Sequence, residues 1–302
     1  MLTLEVKTLA IYLLDFLNIH GKILKTYISD KNDKDYWFRG LIMCLDINNV
    51  SKYFHRQGEQ SLQALQHIHL SIEEGEFVSL LGPSGCGKST LLSMVAGLAR
   101  PSSGSLKLAN QEITEPGPDK SMVFQEPALF PWMSVKENVT FPLRKSMPKQ
   151  DREIAARQYL KMVHLSQFGS NYPHELSGGM QQRVAIARAL AMDSGLLLMD
   201  EPFGALDEQT RHVLQEEVEK IWMDTGKTIV FVTHSIREAI KLSDRIIIMS
   251  ARPGTIISDF KVDLNRPRQQ KDMALLEEEV MAILKTEIDN VMKEELQYAG
   301  NY

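Results

Sequence analysis

Phe77-Val78-Ser79-Leu80-Leu81-Gly82-Pro83-Ser84-Gly85-Cys86-Gly87-Lys88-Ser89-Thr90 decides the fold of this chain. The first five residues form an apolar run behind the polar turn Glu73-Glu74-Gly75-Glu76, which reads as a buried strand. Residues 82–90 match G-x-x-x-x-G-K-[ST] in full, and the apolar spacing from Leu91 to Leu98 predicts a helix behind them. Strand, glycine loop and helix in that order make a phosphate cradle. The glycines let backbone N–H groups converge on phosphate oxygens with no Cβ in the way, and the helix presents its positive end to the same anion. Lys88 adds a point charge for β- and γ-phosphates, and the Ser89 hydroxyl can ligate Mg²⁺. The candidate nucleotide-binding set is thus Gly82, Pro83, Ser84, Gly85, Cys86, Gly87, Lys88, Ser89 and Thr90.

Further along, Leu196-Leu197-Leu198-Met199-Asp200-Glu201 is an apolar strand ending in two acids. A carboxylate at such a strand end can reach a metal held at the neighbouring phosphate loop, which makes Asp200 the expected Mg²⁺ partner. Glu201, one residue on, is placed to polarise an attacking water. Between the two motifs lies Leu176-Ser177-Gly178-Gly179-Met180-Gln181-Gln182-Arg183. Ser177 precedes a helical run, so its hydroxyl and the glycine amides open a helix N-terminus and form a second anion site.

Around these motifs the pattern alternates. Short antiparallel strands are expected from Asp46 to Ile72, a strand from Ser121 to Phe124, and mainly helix from about 134 to 191 with Asp151–Val163 and Ser177–Ala191 clearest. Strands at Leu196–Met199, Thr228–Val232 and Arg245–Met249 then alternate with helices at Leu214–Trp222 and Ile236–Leu242, which predicts a mostly parallel, buried sheet. Residues 1–42 read as an N-terminal extension with an amphipathic stretch, Leu9–Leu24, for which a membrane-surface helix is the sharper alternative. Residues 268–302 read as an acidic helix, apolar at Leu276, Val280, Ile283, Leu284, Ile288 and Val291.

Taken together, the phosphate loop, the octet and LLLMDE resemble the ATP-binding subunit of a bacterial ABC importer, over about Met43 to Pro267. The resemblance implies an α/β P-loop ATPase core with a mostly parallel sheet, an antiparallel β subdomain and a helical subdomain over about 134–191. It implies ATP and Mg²⁺ as cofactors. Gln125 resembles the glutamine that touches Mg²⁺ and the attacking water, His234 the switch histidine at the γ-phosphate, and Asp207 the D-loop aspartate at a dimer interface. Phe54 sits where the family stacks an aromatic on adenine, with Tyr53 competing for that place. In this family Ser177, Gly178, Gly179 and Gln181 serve the nucleotide of a second ATPase subunit in a head-to-tail homodimer. The catalytic set so implied is Lys88, Gln125, Glu201 and His234, with Ser89, Gln125 and Asp200 at the metal. The aromatic, proline-bent segment Glu126–Ser134 is similar to the one that receives a transmembrane permease, with core packing as the competing explanation for Phe130. A solute-binding protein outside the membrane would then be an indirect partner, and the cytoplasmic face of the cell membrane the place of work.

Two stretches, Phe124–Pro142 and Met249-Ser250-Ala251-Arg252-Pro253-Gly254, are similar to the nitrate, taurine, aliphatic sulfonate and thiamine-precursor importers. A soluble ABC ATPase of translation or DNA repair is the alternative, but only 89 residues separate Lys88 from Ser177, with no heptad tract.

Composition agrees. The net charge of −5 over 302 residues argues against a nucleic-acid binder. Residues 272–302, with eight acids against Lys285 and Lys293, account for it. Two cysteines, Cys44 and Cys86, one inside the phosphate loop, fit a reducing compartment. No apolar run approaches the roughly 20 residues that span a bilayer. His67 and His69 share a strand face without a third ligand, so a surface role is expected in place of a metal site.

Overall fold

The computed structural model describes residues 45–54 and 61–299; the predicted extension 1–42, Cys44 and the last residues of the acidic tail lie outside them. Among the described residues ten strands form two sheets. An antiparallel sheet in the order β2-β1-β4-β5 comprises β1 (Leu45–Phe54), β2 (Leu62–Ile72), β4 (Ser103–Leu108) and β5 (Gln111–Glu112). The second, in the order β10-β9-β3-β8-β7-β6, holds β3 (Phe77–Leu81), β6 (Lys120–Val123), β7 (Leu196–Asp200), β8 (Thr228–Val232), β9 (Arg245–Met249) and β10 (Ile256–Lys261). Its strands pair in parallel except at the β9–β10 edge, which is antiparallel. The helices are α1 (Lys88–Val95), α2 (Val135–Thr140), α3 (Lys149–Met162), α4 (Gly178–Ala191), α5 (Glu208–Thr225), α6 (Ile236–Leu242) and α7 (Gln270–Ala299).

Parity along the parallel strands explains the layers. Side chains alternate between faces, so a strand covered on both sides is apolar throughout. Leu196 and Leu198 of β7, Val230 and Val232 of β8, and Ile247 and Met249 of β9 meet α1 and the antiparallel sheet. Their neighbours Leu197, Met199, Ile229 and Phe231 face the opposite way, onto Val184 and Ala187 of α4 and Leu214 and Val218 of α5. Ile246 and Ile248 pack on Ala239 and Ile240 of α6 and on Met273, Val280 and Leu284 of α7. The acidic helix therefore packs on the core of its own chain, and Arg237 Nε donates to Glu277 Oε2 at 3.2 Å between α6 and α7.

Several boundaries differ from expectation. The helix predicted at Leu91–Leu98 starts at Lys88 and ends at Val95, because Gly87 turns the backbone at φ +102° and the Lys88 N–H side of the loop opens the helix directly. The strand expected at Ser121–Phe124 is shifted one residue back, to Lys120–Val123. The helix expected over Leu214–Trp222 runs from an Asp207 cap to Gly226, whose φ of +62° ends it. The 134–191 region is three helices joined by short 3₁₀ turns. Strands β4, β5 and β10 were not anticipated. Among the described residues no helix is long and apolar enough to cross a membrane.

Candidate functional site

The sheet order brings the predicted residues to one edge. In an open α/β sheet the carboxyl ends of adjacent strands form the ligand crevice, above all where the strand order reverses. Here β3 lies between β9 and β8 and runs into the glycine loop. Next to it β8 leads to His234, β7 ends at Asp200 and Glu201, and β6 leads to Gln125. Residues scattered over more than 150 positions thus end in one row.

Within the loop, Gly82 and Gly87 stand where a side chain cannot. A Cβ on Gly82 would come within 2.8 Å of the Met249 carbonyl oxygen, and one on Gly87 within 2.6 Å of Leu65 Cδ2. Gly85 and Gly87, at φ +77° and +102°, take the left-handed backbone that glycine alone adopts without strain. Pro83 and Ser84 form the rim, with Ser84 exposed. Cys86 points inward and is buried, so only its backbone can face a ligand. Lys88 is buried, with Nζ donating to the carbonyl oxygens of Gly82 at 2.8 Å and Pro83 at 3.0 Å. Ser89 and Thr90 lie in the first turn of α1, where backbone N–H groups have no intrahelical acceptor.

Across the loop, Ser89 Oγ donates to Asp200 Oδ1 at 3.0 Å. Burial pushes the Asp200 carboxyl above the usual aspartate range; the Ser89 hydrogen bond opposes that shift and the neighbouring Glu201 charge adds to it. A hydroxyl and a carboxylate oxygen side by side are the hard donors that Mg²⁺ takes, so the pair fits that ion. Glu201 stands at φ +45°, an uncommon conformation for a glutamate. Its N–H bonds the Val232 carbonyl at 2.9 Å, and its carboxylate lies 3.3 Å from His234 Nδ1. The structure therefore brings Lys88, Ser89, Asp200, Glu201 and His234 together. Gln125 is exposed two residues beyond β6.

Phe54 ends β1 and is 43% exposed, too open for a core aromatic, and Lys52 Nζ lies 5.3 Å from the ring centre. Tyr53 is also exposed. His67 and His69 contact Asn49, and no group of three metal-ligating side chains occurs among the described residues.

Ser177 caps α4 by accepting from the Met180 N–H at 3.3 Å, and Gln181 Nε2 donates to Pro173 and Leu176 carbonyls. Gly178 faces open space, whereas a Cβ on Gly179 would meet Leu206 and Ala205 at 3.2 and 3.3 Å. Asp207, one residue further, caps α5 through Thr210 N–H, and that hydrogen bond holds its carboxyl below the usual range.

Several residues in the site's support were not anticipated. Gln182 Nε2, from the octet itself, donates to Phe124 O at 3.0 Å, and Arg188 donates to Pro127 O at 3.1 Å and Ala128 O at 2.8 Å. Asn138, fully buried, accepts from Phe130 N–H and donates to the carbonyls of Phe130, Met133 and Ser134. The segment 126–134 is thereby clamped with Trp132 70% exposed and Phe130 half-buried against Phe141 and Arg188. The Ser134–Glu137 capping box was the available sign that α2 begins there, with Asn138 inside its first turns.

The chain is similar to known proteins. A family model described as ABC transporter matches residues 65–204. An uncharacterized ABC transporter ATP-binding protein of Methanocaldococcus jannaschii is 48% identical over 252 residues, covering 82% of this chain and 94% of that protein. The taurine import ATP-binding protein of Roseobacter denitrificans is 50% identical over 219 residues, 72% of this chain and 82% of its own length. An aliphatic sulfonates import ATP-binding protein of Bacillus thuringiensis is 47% identical over 228 residues, 76% and 90% respectively. A solved dimer of an ATP-binding cassette in a post-hydrolysis state, bound to ADP and Pi, is similar at a TM-score of 0.68 and 36% identity, covering 73% of this chain and all of that one.

Proposed function

The chain belongs to the ABC transporter family as an ATP-binding subunit, an ATPase, and from that premise we propose how its residues work and what they power. The Lys88–Ser89–Asp200–Glu201–His234 cluster carries the reading. We assign the triphosphate to the loop Gly82–Thr90, with Lys88 holding the β- and γ-phosphates, Ser89 and Asp200 as Mg²⁺ ligands, and Gln125 reaching in from the end of β6. When bound, the ion supplies positive charge at the phosphate oxygens. Glu201 accepts the proton of the attacking water, and His234, beside it, orients that carboxylate and meets the γ-phosphate. Phe54 offers an open ring face for adenine.

In this reading Ser177, Gly178, Gly179 and Gln181 complete the site of a second copy, and Asp207 crosses between the two. The exposed Trp132 and its clamped segment 126–134 form the receiving surface for a membrane-embedded permease, which places the dimer at the cytoplasmic face of the membrane. The cassette itself spans 43–267, with its helical part at about 134–191. The taurine and sulfonate import names of the relatives support uptake of a nitrate-, sulfonate- or taurine-type solute, delivered by an external binding protein.

Phosphate release by purified chain tests the assignment. Glu201→Gln is expected to bind ATP and lose turnover by about 10³-fold, the scale of a removed general base. Lys88→Ala is expected to lose tight ATP binding. Turnover by Glu201→Gln at the wild-type rate would assign the base elsewhere.

A further inference from the structure

The loop Ala251–Thr255, between β9 and β10, touches the phosphate loop from outside. The Arg252 side chain is exposed, yet Nε and Nη2 both donate to the Gly85 carbonyl oxygen, at 3.1 and 3.0 Å. Gly254 presses on the next residue: a Cβ there would lie 2.0 Å from Cys86 O. Gly254 cannot retreat, because its N–H bonds Ala64 O at 3.0 Å and its carbonyl accepts from Gln66 N–H at 2.9 Å. The loop is held in turn from α7, whose Glu287 Oε2 accepts the Ala251 N–H at 2.9 Å.

We propose that Arg252, anchored through Glu287 of α7, is a positioning residue for the phosphate loop and thereby sets the affinity for nucleotide. A phosphate cradle works only if its N–H groups turn inward, and across a trans peptide an inward N–H turns the preceding residue's carbonyl outward. At Gly85 and Cys86 the outward carbonyls meet built partners, a forked guanidinium and a glycine backbone. A cationic donor pair on one carbonyl is stronger than a neutral hydrogen bond. It also fixes the peptide that follows Gly85, whose N–H, that of Cys86, closes a turn on the Pro83 carbonyl at 3.3 Å. The acidic C-terminal helix thus belongs to the nucleotide site as its outer brace. The inference rests on the assignment of residues 82–90 to ATP.

ATP affinity of the full-length chain, measured by titration calorimetry beside thermal unfolding, tests it. Arg252→Ala is expected to weaken ATP binding about five- to tenfold and to raise KM with kcat within about twofold, at a Tm close to wild type. Arg252→Lys, keeping the charge without the fork, is expected to fall between. Glu287→Ala is expected to act in the same direction more weakly, and the double variant to fall short of the sum of the two. Wild-type affinity in both Arg252 variants would overturn the proposal while leaving the ATP assignment intact. A loss of Tm at unchanged affinity would likewise overturn it, as a purely structural contact. A wild-type chain without ATP affinity would overturn the assignment itself.

Discussion

Asp200 shows how function and stability pull apart at a single position. It is buried at the end of β7 with Glu201 beside it, and burial raises its carboxyl above the ordinary aspartate value. An acid raised in the folded state binds its proton more tightly there than in the unfolded chain. Its favourable contribution is therefore present at low pH and lost as pH rises through the raised value. Asp200→Asn is expected to raise Tm at neutral pH by about 2–4 °C, the shift that ~1 kcal/mol gives a domain of this size. That gain should shrink as pH falls from about 7 to about 4. Scanning calorimetry of wild type and variant across that range checks it; a variant less stable at every pH would refute it. ATPase activity should be lost at the same time, since strained and desolvated groups cluster where chemistry is done. Lys88, Ser89, Asp200 and Glu201 were legible in the sequence because each stands in a motif with chemical meaning, whereas His234 came from resemblance. Gln182, Arg188 and Asn138 were not legible. Their acceptors are backbone carbonyls far away in the chain, and a carbonyl leaves no mark in a sequence.

Among the elements, the loop-and-helix unit from Phe124 to Thr140 repays attention. Asn138 stitches three carbonyls and one N–H of the segment before α2, and Arg188 on α4 holds two further carbonyls while resting on the Phe130 ring. The glutamine-bearing turn, the aromatic segment and the helix that begins at Ser177 are therefore tied together. Asn138→Ala would leave buried backbone groups without partners and is expected to destabilise the fold by about 2–3 kcal/mol. Urea unfolding should show it as a lower midpoint at constant slope; a change under about 0.5 kcal/mol would count against the clamp. The same scale shows where periodicity fell short. The strands Thr228–Val232 and Arg245–Met249 and the helix Ile236–Leu242 were legible to the residue, since covered strands carry apolar runs and the helix opens on a Ser235 cap. The missed β10 is an edge strand, alternately exposed and half-buried, with Ser258, Asp259 and Lys261 in it. Such residues keep an edge from pairing with other chains, and they also mask it as loop.

For the whole molecule, the sheet order puts the loop Gly82–Thr90, Asp200, Glu201, His234 and Gln125 on one crevice, while the Ser177 helix start is exposed in the helical part. The Ser177 hydroxyl and the Gln181 amide bond within residues 173–181, and Gly178 faces open space. Two glycine-rich anion sites in one chain, one in the crevice and one turned out, make sense when a second copy brings its outward site to the first copy's phosphates. Sequence alone carried the two motifs; the pairing across copies came from resemblance. The direct measurement is sedimentation velocity of Glu201→Gln with Mg-ATP, in which hydrolysis cannot dissolve the complex. A monomer is expected without nucleotide, a dimer with it, and a return to monomer when Ser177→Arg is added. A Glu201→Gln chain that binds ATP and stays monomeric at every concentration, or a dimer indifferent to Ser177→Arg, would contradict it.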